Sequence, residues 1–221
     1  RYGRAEFRRR HGLDQSAPLV ALLPGSRRKE FARILPPMLD AARRVSAARP
    51  DAQFVIPLAP TRTRREAGEI IWDTGPLPRR LQRALHVVEH ETREAVAASD
   101  AAAVASGTAT LETALVGTPL VIVYKESKLN WHTLRPLIDV EHFGLVNLIA
   151  GERLAAELMQ YDFTGETLAG ELLKLLEPAR NAAERDRLRA AVAKLGAGGA
   201  SERAADAVTR AVRGWKVEGG R

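Results

Sequence analysis

Two glycine-containing turns hold the residue types in this chain best suited to chemistry. Pro24-Gly25-Ser26-Arg27-Arg28-Lys29-Glu30 directly follows the apolar run Leu19 to Leu23. Glycine lets a backbone approach an anion, a serine hydroxyl and the N–H groups of a helix start donate to phosphate oxygens, and arginine adds a planar charged fork. The same residues also read as a plain strand-to-helix turn with surface cations. Ser106-Gly107-Thr108-Ala109-Thr110-Leu111-Glu112 follows the Ala-rich run Ala101 to Ala105. Small residues ahead of a helix suit a simple cap or a helix N-terminus that touches a ligand. Glu112 stands four residues after Thr108, one more than a capping box requires. A carboxylate one turn into such a helix can accept hydrogen bonds from two vicinal ribose hydroxyls.

Other constellations point less clearly. Asn147, in the otherwise apolar run Gly144 to Ala150, reads either as a structural hydrogen bonder or as a site residue. His86 and His90 have the spacing of a zinc-binding helix, but His86 falls on a strand pattern and Glu89 is misplaced for H-E-x-x-H. Core or edge histidines are expected there, and no metal site. The chain has no G-x-S-x-G, no Walker lysine after a glycine loop and no G-x-G-x-x-G after a strand, which sets aside esterase, kinase and dehydrogenase readings. Gly-Ala-Gly-Gly at 196–199 follows a helical pattern, so it reads as a hinge or cap.

The elements that must position these turns alternate along the chain. Leu19 to Leu23, Phe54 to Leu58, Leu85 to Glu89, Ala101 to Ala105 and Leu120 to Tyr124 are short apolar runs bounded by Gly, Pro, Ser or Asp, and predict strands. Ile34, Leu35, Met38, Leu39, Ala42 and Val45 repeat at helical spacing, with Pro36-Pro37 expected to kink that helix or delay its start. Thr92 to Ala98 and Thr108 to Val116 predict shorter helices, the second stopped by Gly117. Residues 73–83 read as a loop. Leu129 to Val140 reads as a helix, and from Arg153 onward the pattern is almost all helix: Leu154 to Met159, Thr167 to Leu176, Ala182 to Leu195 and Glu202 to Val212. Strands alternating with helices predict an α/β fold, a doubly wound, Rossmann-like parallel sheet covered on both faces, followed by C-terminal helices. In such a sheet ligands bind at the carboxyl ends of the strands, where both glycine turns lie.

Composition narrows the partners. The 221 residues are 45% hydrophobic and 28% charged, ordinary globular values, and the absence of Cys excludes disulfides, thiolate metal sites and a thiol nucleophile. No run is long and apolar enough to span a bilayer, and the first ten residues lack the apolar core of an export signal. The chain opens on Arg, so further sequence is expected upstream. A net charge of +7, with five Arg in the first ten residues, suits phosphate-bearing ligands or an anionic membrane surface. Aromatic residues at 5%, with no nucleic-acid-binding motif, argue against nucleic acid as a partner.

Three segments together carry a specific resemblance: LLPGSRRKE at 22–30, ASDAAAVASGTATLETALVGTPLVIVYK at 98–125 and GLVNLIAGERLAAELMQ at 144–160. In order and spacing the chain resembles the lipid-A-disaccharide synthases, glycosyltransferase family 19, of the GT-B fold. The resemblance implies the nucleotide-sugar half of an inverting, metal-free transferase with no cofactor. Such an enzyme joins a UDP-2,3-diacylglucosamine donor to a 2,3-diacylglucosamine 1-phosphate acceptor, and UDP leaves. It also implies work at the cytoplasmic face of the inner membrane of a Gram-negative bacterium, as a peripheral protein and possible homodimer. By this resemblance Gly25, Ser26 and Arg27 face the donor diphosphate, with Glu30 the acid that follows. Ser106, Gly107, Thr108 and Thr110 start the helix that receives the phosphates, Glu112 binds ribose, and Asn147, Tyr124, Glu157 and Gln160 match further family positions.

A family member is about twice this long, and the half that supplies acceptor binding and the general base is not here, so no catalytic base is assigned. Residues 1–17 are expected as a leading basic helix or linker, 18–178 as the UDP-sugar domain, and 179–221 as helices packing on the other half. Related readings are another UDP-sugar GT-B enzyme, such as a MurG-like transferase or a UDP-N-acetylglucosamine epimerase, and a non-catalytic nucleotide-binding module.

Overall fold

The computed structural model describes residues 3–127, 131, 142–196 and 198–218. Six parallel strands, β1 (Leu19–Leu23), β2 (Gln53–Leu58), β3 (Leu85–Glu89), β4 (Ala101–Ala105), β5 (Leu120–Tyr124) and β6 (Ala156–Met159), form one sheet in the order β3-β2-β1-β4-β5-β6. After β3 the chain crosses to the far side of β1, so the strand order reverses between β1 and β4. That pair is in register at Val20 with Ala101 and Leu23 with Val104. Their carboxyl ends diverge into helices on opposite faces, which opens a crevice there.

Alternate residues of the buried strands feed two cores, as a sheet covered on both faces requires. Val20 and Leu22 point into one core and Leu19, Ala21 and Leu23 into the other. The first core is closed by α2 (Arg28–Ala48) and α8 (Gly165–Leu175), which pack together over the sheet. Gly165 is needed where they meet, because a Cβ there would run into the carboxylate of Asp40. Alanines on β4 are weak strand formers, but on a central strand their small side chains leave room for helices to close over the sheet.

Pro36 and Pro37 neither delay nor end α2, which starts at Arg28 and carries both inside it. A proline in a helix interior costs about 3 kcal/mol or more. Phe31, Ile34, Leu35, Met38, Leu39 and Val45, all buried, gain roughly 1.5–3 kcal/mol apiece, more than the roughly 6 kcal/mol that two prolines cost together, so burial of this face wins.

Two more elements depart from the sequence expectation. Ala156-Glu157-Leu158-Met159, read as helical, forms edge strand β6, with Glu157 opposite Ile122 of β5. These residues favour helices intrinsically, and ladder pairing with β5 overrides that weak preference. Residues 73–83 are a loop only in part: α3 (Arg64–Asp73) leads through a short turn into α4 (Arg79–Ala84). The helix expected over Leu129 to Val140 lies, Trp131 apart, outside the described residues. Gly144 to Ala150 yields α7 (Leu145–Ala150).

The second core is covered by α1 (Arg4–Arg10), α5 (Thr92–Ala98), α6 (Thr108–Leu115), α7 and α9 (Pro178–Ala193). In the described part of the basic start, Arg8 belongs to this packing, while Arg9 and Arg10 are exposed. Arg8 is fully buried, donating to the carbonyls of Asp14, Ala17 and Ala98 and pairing with Asp100 at 2.9 Å. A buried guanidinium is tolerated when paired and bonded in this way. Arg4 pairs with Asp100, Arg9 with Glu6 and Arg10 with Glu91. Of the C-terminal helices, α9 packs on this domain. Its Leu188 is fully buried, and Arg185 donates to the Gly117 carbonyl at 2.7 Å. Along α10 (Ala200–Glu218), residues 200–212 are exposed.

Candidate functional site

The crevice at the β1–β4 reversal is a cleft of about 620 Å³. Gly25, Ser26 and Glu30 line it from the start of α2, and Ser106, Gly107, Thr108, Ala109 and Glu112 from the start of α6. Pro57, Ala59 and Pro60 enter from the end of β2, and His90, Thr92 and Arg93 from the end of β3.

Backbone geometry explains the glycines. Gly107 caps α6 at φ 152°, ψ −165°, a region open to glycine alone. Gly25 has φ 98°, and a Cβ there would strike the Glu30 carboxylate, 2.7 Å from its Cδ. Without side chains at these positions, both turns expose peptide N–H groups at helix starts, where the helix dipole favours an anion. Thr61 braces the first turn by donating to the Ser26 carbonyl at 2.8 Å, and Ser106 donates to the Phe143 carbonyl at 3.0 Å.

Charge in the cleft is mixed. Glu30 is half-buried, and its carboxyl is pushed above the usual range by desolvation, against the pull of the Arg27 backbone N–H and guanidinium, with Glu126 adding to the rise. Glu112 lies 3.5 Å from Arg93. Among the described residues no group of three or more His, Asp or Glu could hold a metal ion.

Three residues expected at the site stand outside the cleft lining. Arg27 is the N-cap of α2 and is exposed. Its charge acts on Glu30 and on Tyr124, whose phenol is raised by desolvation and by Glu126 and Glu30. Thr110 is buried, with its hydroxyl donating to the Gly107 carbonyl at 2.7 Å. Asn147 is fully buried. Its Nδ2 donates to the Ala155 carbonyl at 2.9 Å and to Glu157 at 2.8 Å, and its Oδ1 accepts from the Ala155 N–H at 2.8 Å. Of the two sequence readings of Asn147, the geometry is that of the structural hydrogen bonder.

Asn147, Glu157 and Gln160 instead build the shelf beside the cleft. The Glu157 carboxylate accepts from the N–H groups of Phe143 and Gly144, capping α7 at its electropositive end. That sets Phe143, whose carbonyl receives Ser106. Gln160, at φ 48°, accepts from the Glu126 N–H at 2.9 Å and donates to the Glu126 carbonyl at 3.2 Å. Glu126 in turn pairs with Arg33 of α2.

His90, Thr92, Arg93 and the Pro57–Pro60 corner were not foreseen. Their signal was position alone, since they follow the carboxyl ends of β2 and β3. His90 is expected from its sequence context as a core or edge histidine; it is exposed and lines the cleft.

Comparison with known proteins places the chain. The family model described as lipid-A-disaccharide synthetase matches residues 2–211. The lipid-A-disaccharide synthase of Trichlorobacter lovleyi is 43% identical over 198 residues, covering 89% of this chain and 50% of that protein. The Myxococcus xanthus enzyme of the same name is 43% identical over 206 residues, covering 91% and 51%. The chain thus spans about half the length of these curated relatives. In fold it is similar to WaaG, a glycosyltransferase involved in lipopolysaccharide biosynthesis, with TM-score 0.64, 17% identity, and coverage of 93% of this chain and 50% of that one. It is also similar to HepE of Anabaena, solved with UDP-glucose, with TM-score 0.58, 14% identity, and coverage of 86% and 48%. Both likenesses speak to fold alone: one half of a GT-B glycosyltransferase.

Proposed function

Because this chain belongs to the lipid-A-disaccharide synthetase family, we propose that it is the donor-binding half of a transferase that joins UDP-2,3-diacylglucosamine to 2,3-diacylglucosamine 1-phosphate. The observation that carries this reading is the convergence of both glycine turns and Glu112 on one cleft at the sheet's reversal point. The donor diphosphate lies across the N–H groups of the two turns, Ser26 and Thr108 add hydroxyl donors, and Glu112 takes the ribose hydroxyls. Arg27 stands two residues beyond cleft-lining Gly25, with no hydrogen bond or ion pair from its guanidinium among the described residues. It swings to the diphosphate when donor binds.

An acceptor hydroxyl, deprotonated by a base of the other half, displaces UDP from the anomeric carbon with inversion. The protein's part here is to stabilise the charge that gathers on the leaving diphosphate. The fixed dipoles of the two turns, with Arg27 brought in on donor binding, need little further reorganisation as the bond breaks. Metal and cofactor have no part in this scheme. The acyl chains of both substrates put the reaction at a membrane surface with the protein peripheral, which we take, from the family, to be the cytoplasmic face of the inner membrane; a homodimer is compatible with the reading. No helix among the described residues is long and apolar enough to cross a membrane. In this reading α10 packs on the other half.

The test is reconstitution. This chain joined to the half that its relatives carry should form acylated disaccharide and release UDP, and the chain alone should form none. Equal product from the chain alone, or none from the joined protein with other UDP-sugars turned over instead, would replace this reading.

A further inference from the structure

The cleft is not uniform along the sheet. Gly25, Ser26, Ser106, Gly107 and Thr108 line its β1 and β4 end, while Pro57, Ala59, Pro60 and His90 line its β2 and β3 end, with Thr92, Arg93 and Glu94 following His90. From β3 to β4 is three strand spacings, about 14 Å, the length scale of an extended nucleoside diphosphate. A ligand whose diphosphate occupies the glycine turns therefore reaches the β3 end with its other terminus.

His90 is the unusual residue at that end. It holds φ at 61°, one of two non-glycine residues with positive φ among those described. The other, Gln160, is tied down by its bonds to Glu126. His90 makes no hydrogen bond or ion pair among the described residues, is exposed, and lines the cleft. A histidine in the left-handed region carries a conformational cost that glycine would avoid. A flat ring beside proline and alanine side chains offers a heteroaromatic base the surface on which such rings stack.

We propose that His90 is a specificity residue of the donor site, its imidazole forming one wall of a subsite for the nucleotide's base. This rests on the donor-binding reading. The ring adds affinity for the base and none for the phosphates, since the glycine turns lie at the cleft's other end.

His90→Gly and His90→Phe, with UDP and inorganic pyrophosphate as probes in calorimetry, test the assignment. Glycine removes the ring and relaxes the backbone, so the melting temperature should hold or rise. UDP affinity should fall about tenfold, as loss of one stacked base implies, with pyrophosphate affinity unchanged. Phenylalanine restores a ring, and UDP affinity should return to within about threefold of the original. The proposal is overturned if folded His90→Gly binds UDP like the original, if it loses pyrophosphate in equal measure, or if His90→Phe is as weak as His90→Gly. An original chain that binds pyrophosphate but not UDP overturns the base subsite alone. One that binds neither removes the donor-binding reading and this inference together.

Discussion

Arg93 Nη2 lies 3.5 Å from Glu112 Oε1, so the acid proposed to hold the ribose hydroxyls already has a cation beside it in the cleft. Both side chains are largely exposed, at 60% and 43%, and an exposed pair contributes little to folding. Its consequence belongs to binding: the pair holds the carboxylate at the cleft wall. Glu112→Gln should weaken UDP with almost no change in melting temperature. 2′,3′-dideoxy-UDP should bind the original chain more weakly than UDP, because it forgoes hydrogen bonds to a charged carboxylate, worth up to about 1.5–3 kcal/mol. The variant should discriminate far less between the two ligands. Equal discrimination by both proteins would leave Glu112 as a first-turn acid of α6 and nothing more.

Gly107→Ala should cost roughly 1–3 kcal/mol of stability, the toll of forcing a side chain into a glycine-only backbone region. Among the described residues, no atom beyond the two chain neighbours lies within 4 Å of the added Cβ, so the loss reports conformation and not a clash. UDP affinity should fall as well, since relaxation of the turn turns its N–H groups away. A variant as stable as the original would contradict the backbone geometry at the start of α6.

Asn147→Ala should destabilise the fold by roughly 1–3 kcal/mol for each buried group left without its partner. The partners are the Ala155 peptide and Glu157. If Asn147 acts only through the shelf, variant protein that remains folded should bind UDP nearly as well as the original. A large loss of affinity at unchanged stability would move Asn147 into the ligand site.

Glu30 predicts a pH dependence. Burial raises its folded pKa above the ordinary value of 4.5, so the folded state holds this proton more tightly than the unfolded chain does. Its favourable contribution is present below 4.5 and is lost as pH rises through the folded pKa. Glu30→Gln, which keeps an acceptor oxygen but never ionises, should therefore melt higher than the original at about pH 7.5, and the gap should close near about pH 4. A gap of the same size at both pH values would mean that ionisation of Glu30 is not its source.

The sheet was legible in the sequence because β1 to β5 are short apolar runs between Gly, Pro, Ser and Asp, and in β1, β2, β4 and β5 the side chains that mark the run are the ones buried. β6 was not legible. Ala156 to Met159 carries helix-favouring residues, and only the neighbouring β5 turns it into a strand. The cleft was half visible. Gly25 and Gly107 announce strained turns, and chain order puts both at strand ends. His90 and the Pro57–Pro60 corner reach the same cleft through sheet order, which a sequence does not display. Asn147, Glu157 and Gln160 stood out by pattern, but pattern alone could not tell a residue that touches ligand from one that holds the wall behind it. Their hydrogen bonds to Ala155, Phe143, Gly144 and Glu126 make that distinction.

Calorimetric titration of this chain with UDP tests the donor-binding claim most directly, with uridine in a parallel run. The cleft geometry predicts saturable one-to-one binding of UDP and much weaker binding of uridine, because the two glycine turns supply their N–H groups to the diphosphate. No saturable heat with UDP, or equal affinity for uridine, would contradict it.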